Sequence, residues 1–263
     1  MARLTLRDIS RLHADGSKIT MLTAYDSSFA RVLDTAGVET ILIGDSLGMV
    51  IQGRDSTLAV SIDATVYHIE CVVRGAQHAF VLGDLPFGSY QESIQQAFRS
   101  SSRLIAAGAQ MVKLEGGAAM ADTVRFLAER GIPVCGHVGL APQFVHVLGG
   151  FRVQGRDEAG ARRIVDDAKA LAEAGASMIV LEAMPAAVAK EVTGSIQIPT
   201  IGIGAGPDCS GQVLVMHDLL GVSGRQPKFA RDFMQGADSI AVAVANYVAA
   251  VKDGTFPGLE NVY

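Results

Sequence analysis

A chain of 263 residues with 49% hydrophobic and 19% charged side chains has ample material for a large core, and 8 prolines leave little room for disordered linkers. A formal net charge of -5, with no run of Lys and Arg, excludes the electrostatic footprint of a nucleic-acid binder. The three cysteines, Cys71, Cys135 and Cys209, are far apart and form no CxxC, so they read as reduced core residues, not as a disulfide framework or a thiolate zinc site.

The chain opens with MARLTLRDISRLH, which has no apolar signal core, and no later stretch approaches the ~18 apolar residues of a membrane span. No membrane partner is expected, and the expected location is the cytoplasm. A helix around Thr5 to Ala14 precedes the first strand, Ile19 to Ala24, and is placed to close the bottom of a barrel. From there apolar runs alternate with amphipathic stretches: strand Thr40 to Gly44, helix Asp63 to Gln77, strand Phe80 to Gly83, helix Gln91 to Ala107, strand Met111 to Leu114 and helix Ala121 to Arg130. The rhythm continues with strand Val134 to Gly136, helix Asp157 to Ala174, strands Met178 to Leu181, Thr200 to Ile203 and Val213 to Met216, and a closing helix over Phe229 to Lys252. Several helices stop at a Gly just ahead of the next strand (DTAGVET, IAAGAQMV, AERGIPV, AEAGASMIV), the mark of a C′ glycine before a short loop. Eight strands in this pattern predict an α/β fold, a (β/α)₈ TIM barrel with an N-terminal helix, in preference to a doubly wound sheet. Because no break in composition marks a second domain, residues 1–263 are expected to form one domain.

Four of the apolar runs end in a carboxylate: ETILIGDS at Asp45, FVLGDLP at Asp84, MVKLEGG at Glu115 and MIVLEAM at Glu182. A buried strand wants apolar side chains, so an acid at its end either reaches solvent, caps a helix, or points into a site at the rim where α/β folds carry their chemistry. Gathered at one rim, such acids supply hard oxygen ligands for a dication such as Mg²⁺, with one left over as a base. Ser46 and the backbone N–H groups after it are placed to face an anion. Strand alternation puts Lys113 on the same face as Glu115, so a buried Lys113 requires a carboxylate or substrate anion beside it. Glu182 ends the most apolar strand, and its carboxylate is expected to be the least solvated and most basic of the four. His137 ends another run and reads as a hydrogen-bond partner behind the site more than as a ligand, since no HExxH or HxH pair exists. The glycine-rich IGIGAGPDCSGQ, Ile201 to Gln212, resembles a phosphate loop only in composition. It lacks a Walker Lys and the GxGxxG spacing.

Taken in order, TAYD (Thr23 to Asp26), GDSLGM (Gly44 to Met49), QGRDST (Gln52 to Thr57), DLPF (Asp84 to Phe87), KLEGG (Lys113 to Gly117), CGHVGLAPQ (Cys135 to Gln143), VQGR (Val153 to Arg156), IGIGAG (Ile201 to Gly206), VMHD (Val215 to Asp218) and PKF (Pro227 to Phe229) closely resemble the ketopantoate hydroxymethyltransferase family, over nearly the whole chain. The resemblance implies a barrel of the phosphoenolpyruvate/pyruvate superfamily, a Mg²⁺ site and a homodecamer. It implies small-molecule substrates, 3-methyl-2-oxobutanoate and 5,10-methylenetetrahydrofolate, and the product 2-dehydropantoate for pantothenate and coenzyme A synthesis. Carried over by position, Asp45, Asp84 and Glu115 hold or orient the metal, Ser46 and Lys113 bind the keto acid alongside Asp45 and Asp84, and Glu182 is the catalytic proton acceptor. The alternative within the superfamily is a Mg²⁺-dependent lyase or aldolase acting on another 2-oxo acid. Two segments depart from the family pattern: Ser210 ahead of Gly211-Gln212, where an acid is common, and the loop Val222 to Gln226.

Overall fold

A computed structural model of the protein describes residues 2–224 and 226–263, so Arg225 of the departing loop lies outside the described residues. Eight parallel strands close on themselves: β1 (Ile19–Thr23), β2 (Thr40–Ile43), β3 (Phe80–Asp84), β4 (Met111–Lys113), β5 (Val134–Gly139), β6 (Met178–Glu182), β7 (Thr200–Ile203) and β8 (Gly211–Leu214), with β8 paired back onto β1. Around them run α1 (Leu6–Ala14), α2 (Ser27–Thr35), α3 (Leu47–Val50), α4 (Ile62–Gly75), α5 (Ile94–Ala106), α6 (Ala121–Ala128), α7 (Val145–Leu148), α8 (Glu158–Glu173), α9 (Ala186–Ser195), α10 (Met216–Leu219) and α11 (Ile240–Lys252). This is the expected (β/α)₈ barrel.

Local chemistry sets the boundaries. Ser61, Ser93, Asp157 and Ser239 each accept a backbone N–H at the start of a long helix, and Thr5 forms a capping box with Asp8. The expected C′ glycines behave as such, Gly108 and Gly175 turning the chain at φ 113 and 99. Two expectations are corrected. The closing helix begins at Ile240, not Phe229, because the Asp232 carboxylate takes the Met234 N–H and Gly236 adopts φ 80, which breaks the turns before Ser239 can cap. The eighth strand starts at Gly211 and ends at Leu214. Met216 already opens α10, and only glycine fits at 211, where a Cβ would lie 2.2 Å from the Ile19 carbonyl oxygen.

Alternation along the strands divides the core in two. Residues such as Ile41, Val81, Val112 and Ile179 face the helices, whereas Met21, Leu42, Phe80, Leu82, Met111, Cys135, Met178 and Val180 fill the barrel interior. Ile9 of α1 is fully buried against that interior cluster, with Leu4, Leu6 and Leu12 beside it, so the N-terminal helix plugs the bottom. Following the inward register to the other end, Leu82 leads to Asp84, Met111 to Lys113, Cys135 to His137 and Val180 to Glu182. The last inward position of four neighbouring strands is therefore polar, at the C-terminal mouth.

Candidate active site

That mouth opens into a cavity of about 890 Å³ whose wall includes Asp45, Ser46, Asp84, Lys113, Glu115, His137 and Glu182, together with Phe151, Arg152, Lys228, Phe229 and Tyr263. All the residues singled out from the strand ends are thus brought to one place. In the β3–β4 register Asp84 stands opposite Lys113. The Lys113 Nζ donates to both Asp84 oxygens, at 2.9 and 2.8 Å, and lies 3.7 Å from Glu115 Oε1. Against the cost of burial, Asp84, Glu115 and Asp45 hold the ammonium charged, its pKa well above the usual lysine value. The carboxylate that a buried Lys113 requires is Asp84.

His137 stands between two acids, its Nδ1 3.4 Å from Glu115 Oε1 and its Nε2 3.2 Å from Glu182 Oε2, without hydrogen-bond alignment to either. Burial and the Lys113 ammonium oppose its charge, but the flanking carboxylates outweigh them and raise the imidazole pKa to about 9. Burial would raise Glu115 too, yet His137, Lys113 and the Gln143 backbone N–H together lower it. Glu182 overturns one expectation. Its side chain is 16% exposed, against 5% or less for Asp45, Asp84 and Glu115, so it is the most solvated of the four acids. Of the apolar run before it only Met178 and Val180 fill the barrel interior, while the carboxylate itself has cleared that layer and faces the cavity. Immediately after it Ala183 is held in the left-handed region at φ 46, a strained turn for a residue with a Cβ.

Asp45 carries the desolvation instead: burial, then the charges of Asp84 and Glu115, push its pKa well above the usual carboxylate value, against Lys113 and a hydrogen bond from Gln143. Its backbone N–H donates to Asp84 Oδ2 at 3.2 Å. Ser46 Oγ lies 2.8 Å from the Tyr25 hydroxyl, a pairing within the site that depends on the loop after β1. The N–H groups following Ser46 are not free for an anion. Those of Leu47 and Gly48 bond to the carbonyls of Gly44 and Asp45 as α3 begins, which leaves Ser46 to act through its hydroxyl.

The glycine-rich segment serves close packing. Gly204 adopts φ 59 with the Tyr263 and Phe229 side chains against it, and the Gln212 Nε2 donates to the Gly206 carbonyl at 3.0 Å. Ser210 lies away from the cavity wall, its Oγ accepting from the Thr200 N–H at 3.2 Å. Tyr25, Tyr90 and Gln143 received no role from the strand ends. Tyr25 and Gln143 lie within motifs that carry the resemblance, TAYD and CGHVGLAPQ, and Tyr90 is marked only by its loop after β3, since no spacing rule gives a role to a side chain that reaches across the rim.

Three sets of likenesses bear on these residues. The sequence profile described as ketopantoate hydroxymethyltransferase matches residues 3–259. Proteins named 3-methyl-2-oxobutanoate hydroxymethyltransferase from Azoarcus sp. (strain BH72) and Chromobacterium violaceum are each 60% identical over 99% of this chain, covering 97% and 100% of those proteins. In fold the chain is similar to a phosphonomutase-like protein from Burkholderia cenocepacia J2315 (TM-score 0.66, 17% identity, 84% of this chain and 95% of that one). It is also similar to 2,3-dimethylmalate lyase of the PEP mutase/isocitrate lyase superfamily (TM-score 0.60, 13% identity, 97% and 100%).

Proposed function

The chain belongs to the ketopantoate hydroxymethyltransferase family, and from that premise we propose that it transfers a one-carbon unit from 5,10-methylenetetrahydrofolate to 3-methyl-2-oxobutanoate, giving 2-dehydropantoate for pantothenate and coenzyme A synthesis. The observation that carries this reading is the constellation at the mouth: an ammonium and three buried acids, with a fourth, more exposed carboxylate beside an imidazole.

Mg²⁺ suits the donor set. Asp45 is strained electrostatically by Asp84 and Glu115, and Glu115 Oε1 is buried without a hydrogen bond, so the rim holds more buried negative charge than Lys113 offsets. Mg²⁺ takes one or two carboxylates and shares its shell with water and substrate, and the carboxylates of Asp45 and Asp84 both line the cavity. Asp45 and Asp84 would hold it, with Glu115 behind them. When bound, it would polarise the 2-oxo group and acidify the neighbouring C3–H.

The chain's own residues do the rest. Lys113 and the Ser46 hydroxyl bind the keto acid's anionic end, the ammonium kept in place by Asp84. Glu182, facing the cavity, takes the C3 proton, and the His137 Nε2 at 3.2 Å stabilises or relays it. Water adds to the folate's methylene carbon as one of its two C–N bonds breaks, the enolate carbon bonds to the same carbon as the second C–N bond breaks, and the C3 proton and one water proton end on the two folate nitrogens. The same reading extends to a cytoplasmic homodecamer, which a measurement of assembly mass in solution checks.

The test is exchange of the C3 hydrogen of 3-methyl-2-oxobutanoate in D₂O, followed by NMR. Exchange that needs Mg²⁺, and 2-dehydropantoate formation that needs methylenetetrahydrofolate, are expected. Absence of exchange with Mg²⁺ present would refute the reading, and cleavage of another 2-oxo acid without folate would replace it with the lyase alternative.

A further inference from the structure

One residue bonds to two of the site acids without lining the cavity, through its side-chain amide to one and its backbone N–H to the other. Gln143 lies in the short turn Pro142–Phe144 after β5 and is buried. Its Nε2 donates to Asp45 Oδ2 and to the Leu85 carbonyl, both at 2.9 Å, and its backbone N–H donates to Glu115 Oε2 at 2.9 Å. Its Oε1 lies 2.8 Å from the Tyr90 hydroxyl and accepts from Gln91 Nε2 at 3.1 Å. Tyr90 in turn is anchored on Glu115, whose backbone N–H donates to the phenol oxygen at 3.0 Å. The amide therefore has both donors and its acceptor used, and a flip would set its oxygen against the Asp45 carboxylate and the Leu85 carbonyl, acceptor facing acceptor. Loops after β2, β3, β4 and β5 meet at this one group.

We propose that Gln143 is the positioning residue of the acid rim, clamping the Asp45 and Glu115 carboxylates in the orientation that binding and catalysis require, with Tyr90 fixing the direction of the clamp. The inference rests on the reading of the rim as a site for a dication and a keto acid. A buried carboxylate with one oxygen held by a fixed donor presents the other in a set direction, and loss of such a partner behind a ligand costs about 10–100-fold in metal affinity or activity. Gln143 itself does not line the cavity, so its effect travels only through the acids.

Gln143→Leu and Gln143→Glu remove the donor to Asp45 or replace it with a repelling carboxylate of the same size while keeping the backbone N–H that holds Glu115, and Tyr90→Phe removes only the hydroxyl. Mn²⁺ binding is titrated by electron paramagnetic resonance on each full-length protein without substrate, and kcat and KM for the keto acid are measured beside it. Both Gln143 variants are expected to weaken Mn²⁺ binding by roughly 10–100-fold and to lower kcat more than they raise KM. Tyr90→Phe should move both in the same direction by less. A purely structural role would lower thermal stability while leaving Mn²⁺ affinity and the kcat–KM split of the folded protein unchanged, and that outcome in Tyr90→Phe and either Gln143 variant would overturn the proposal. Should Gln143→Leu fail to fold, the other two variants decide. If the parent protein takes up no Mn²⁺, the dication reading falls by itself. The clamp is then judged by crystal structures of the Gln143 variants: a displaced Asp45 carboxylate supports it, and an unmoved one overturns it.

Discussion

Glu182 and His137 form an acid–imidazole contact at the mouth, and their contrast in burial separates their roles. Glu182→Gln keeps size and most contacts but cannot accept a proton, so it should still bind Mg²⁺ and keto acid while exchange of the C3 hydrogen falls by at least about 100-fold. Exchange at the parent rate would move the base elsewhere. His137 also makes a prediction about stability. Its folded pKa is raised from 6.5 to about 9, so the folded state holds the proton more tightly than the unfolded chain. The stabilisation is therefore complete below about pH 6.5 and is lost as pH rises through about 9. Urea unfolding of metal-free protein should show this decline, and His137→Gln should flatten it. A parent curve that rises with pH across that window would contradict the assignment.

At the level of elements, the barrel separates stability from chemistry by its two ends. Helix α1 seals the bottom with Ile9, fully buried against the interior cluster. Truncation to Ala leaves a cavity that the closed barrel cannot collapse, and it should cost about 2–5 kcal/mol. Because α1 lies at the opposite end from Asp45, Asp84 and Glu182, the folded fraction of Ile9→Ala should keep parent kcat and KM. Thermal unfolding and steady-state kinetics on the same sample check both halves. A large change in kcat with stability intact would mean that the bottom layer couples to the rim.

For the molecule as a whole, the uncompensated charge of the rim predicts opposite effects of a mutation and an ion. Asp45 is raised by burial and by its acidic neighbours, so carrying a carboxyl there costs the metal-free fold stability above the ordinary carboxylate range, and Asp45→Asn should raise the metal-free Tm. In the parent, Mg²⁺ at about a hundred times its Kd should stabilise by about 2.7 kcal/mol, a rise of several degrees in Tm. Asp45→Asn should lose most of that increment together with activity. Differential scanning fluorimetry with and without Mg²⁺ reads both, and an Asp45→Asn protein that kept the full metal increment would remove Asp45 from the ligand set.

The order of strands, the plug at the N-terminus and the four acids at the C-terminal mouth were determined by the sequence itself, because a buried parallel strand tolerates polar residues only where it leaves the core. Periodicity likewise placed Lys113 and Glu115 on one face, which the 3.7 Å approach of Lys113 Nζ to Glu115 Oε1 bears out. Only the tertiary structure decided what each group meets there. The relative solvation of Glu182 and Asp45 could not be read from the apolar runs before them, because it depends on how far each carboxylate projects beyond the interior layer. The start of α11 depended on Asp232 and Gly236 outcompeting an otherwise helical pattern. Gln143 reaches Asp45 across 98 positions of chain, and no local rule of spacing encodes a contact that exists because the barrel closes.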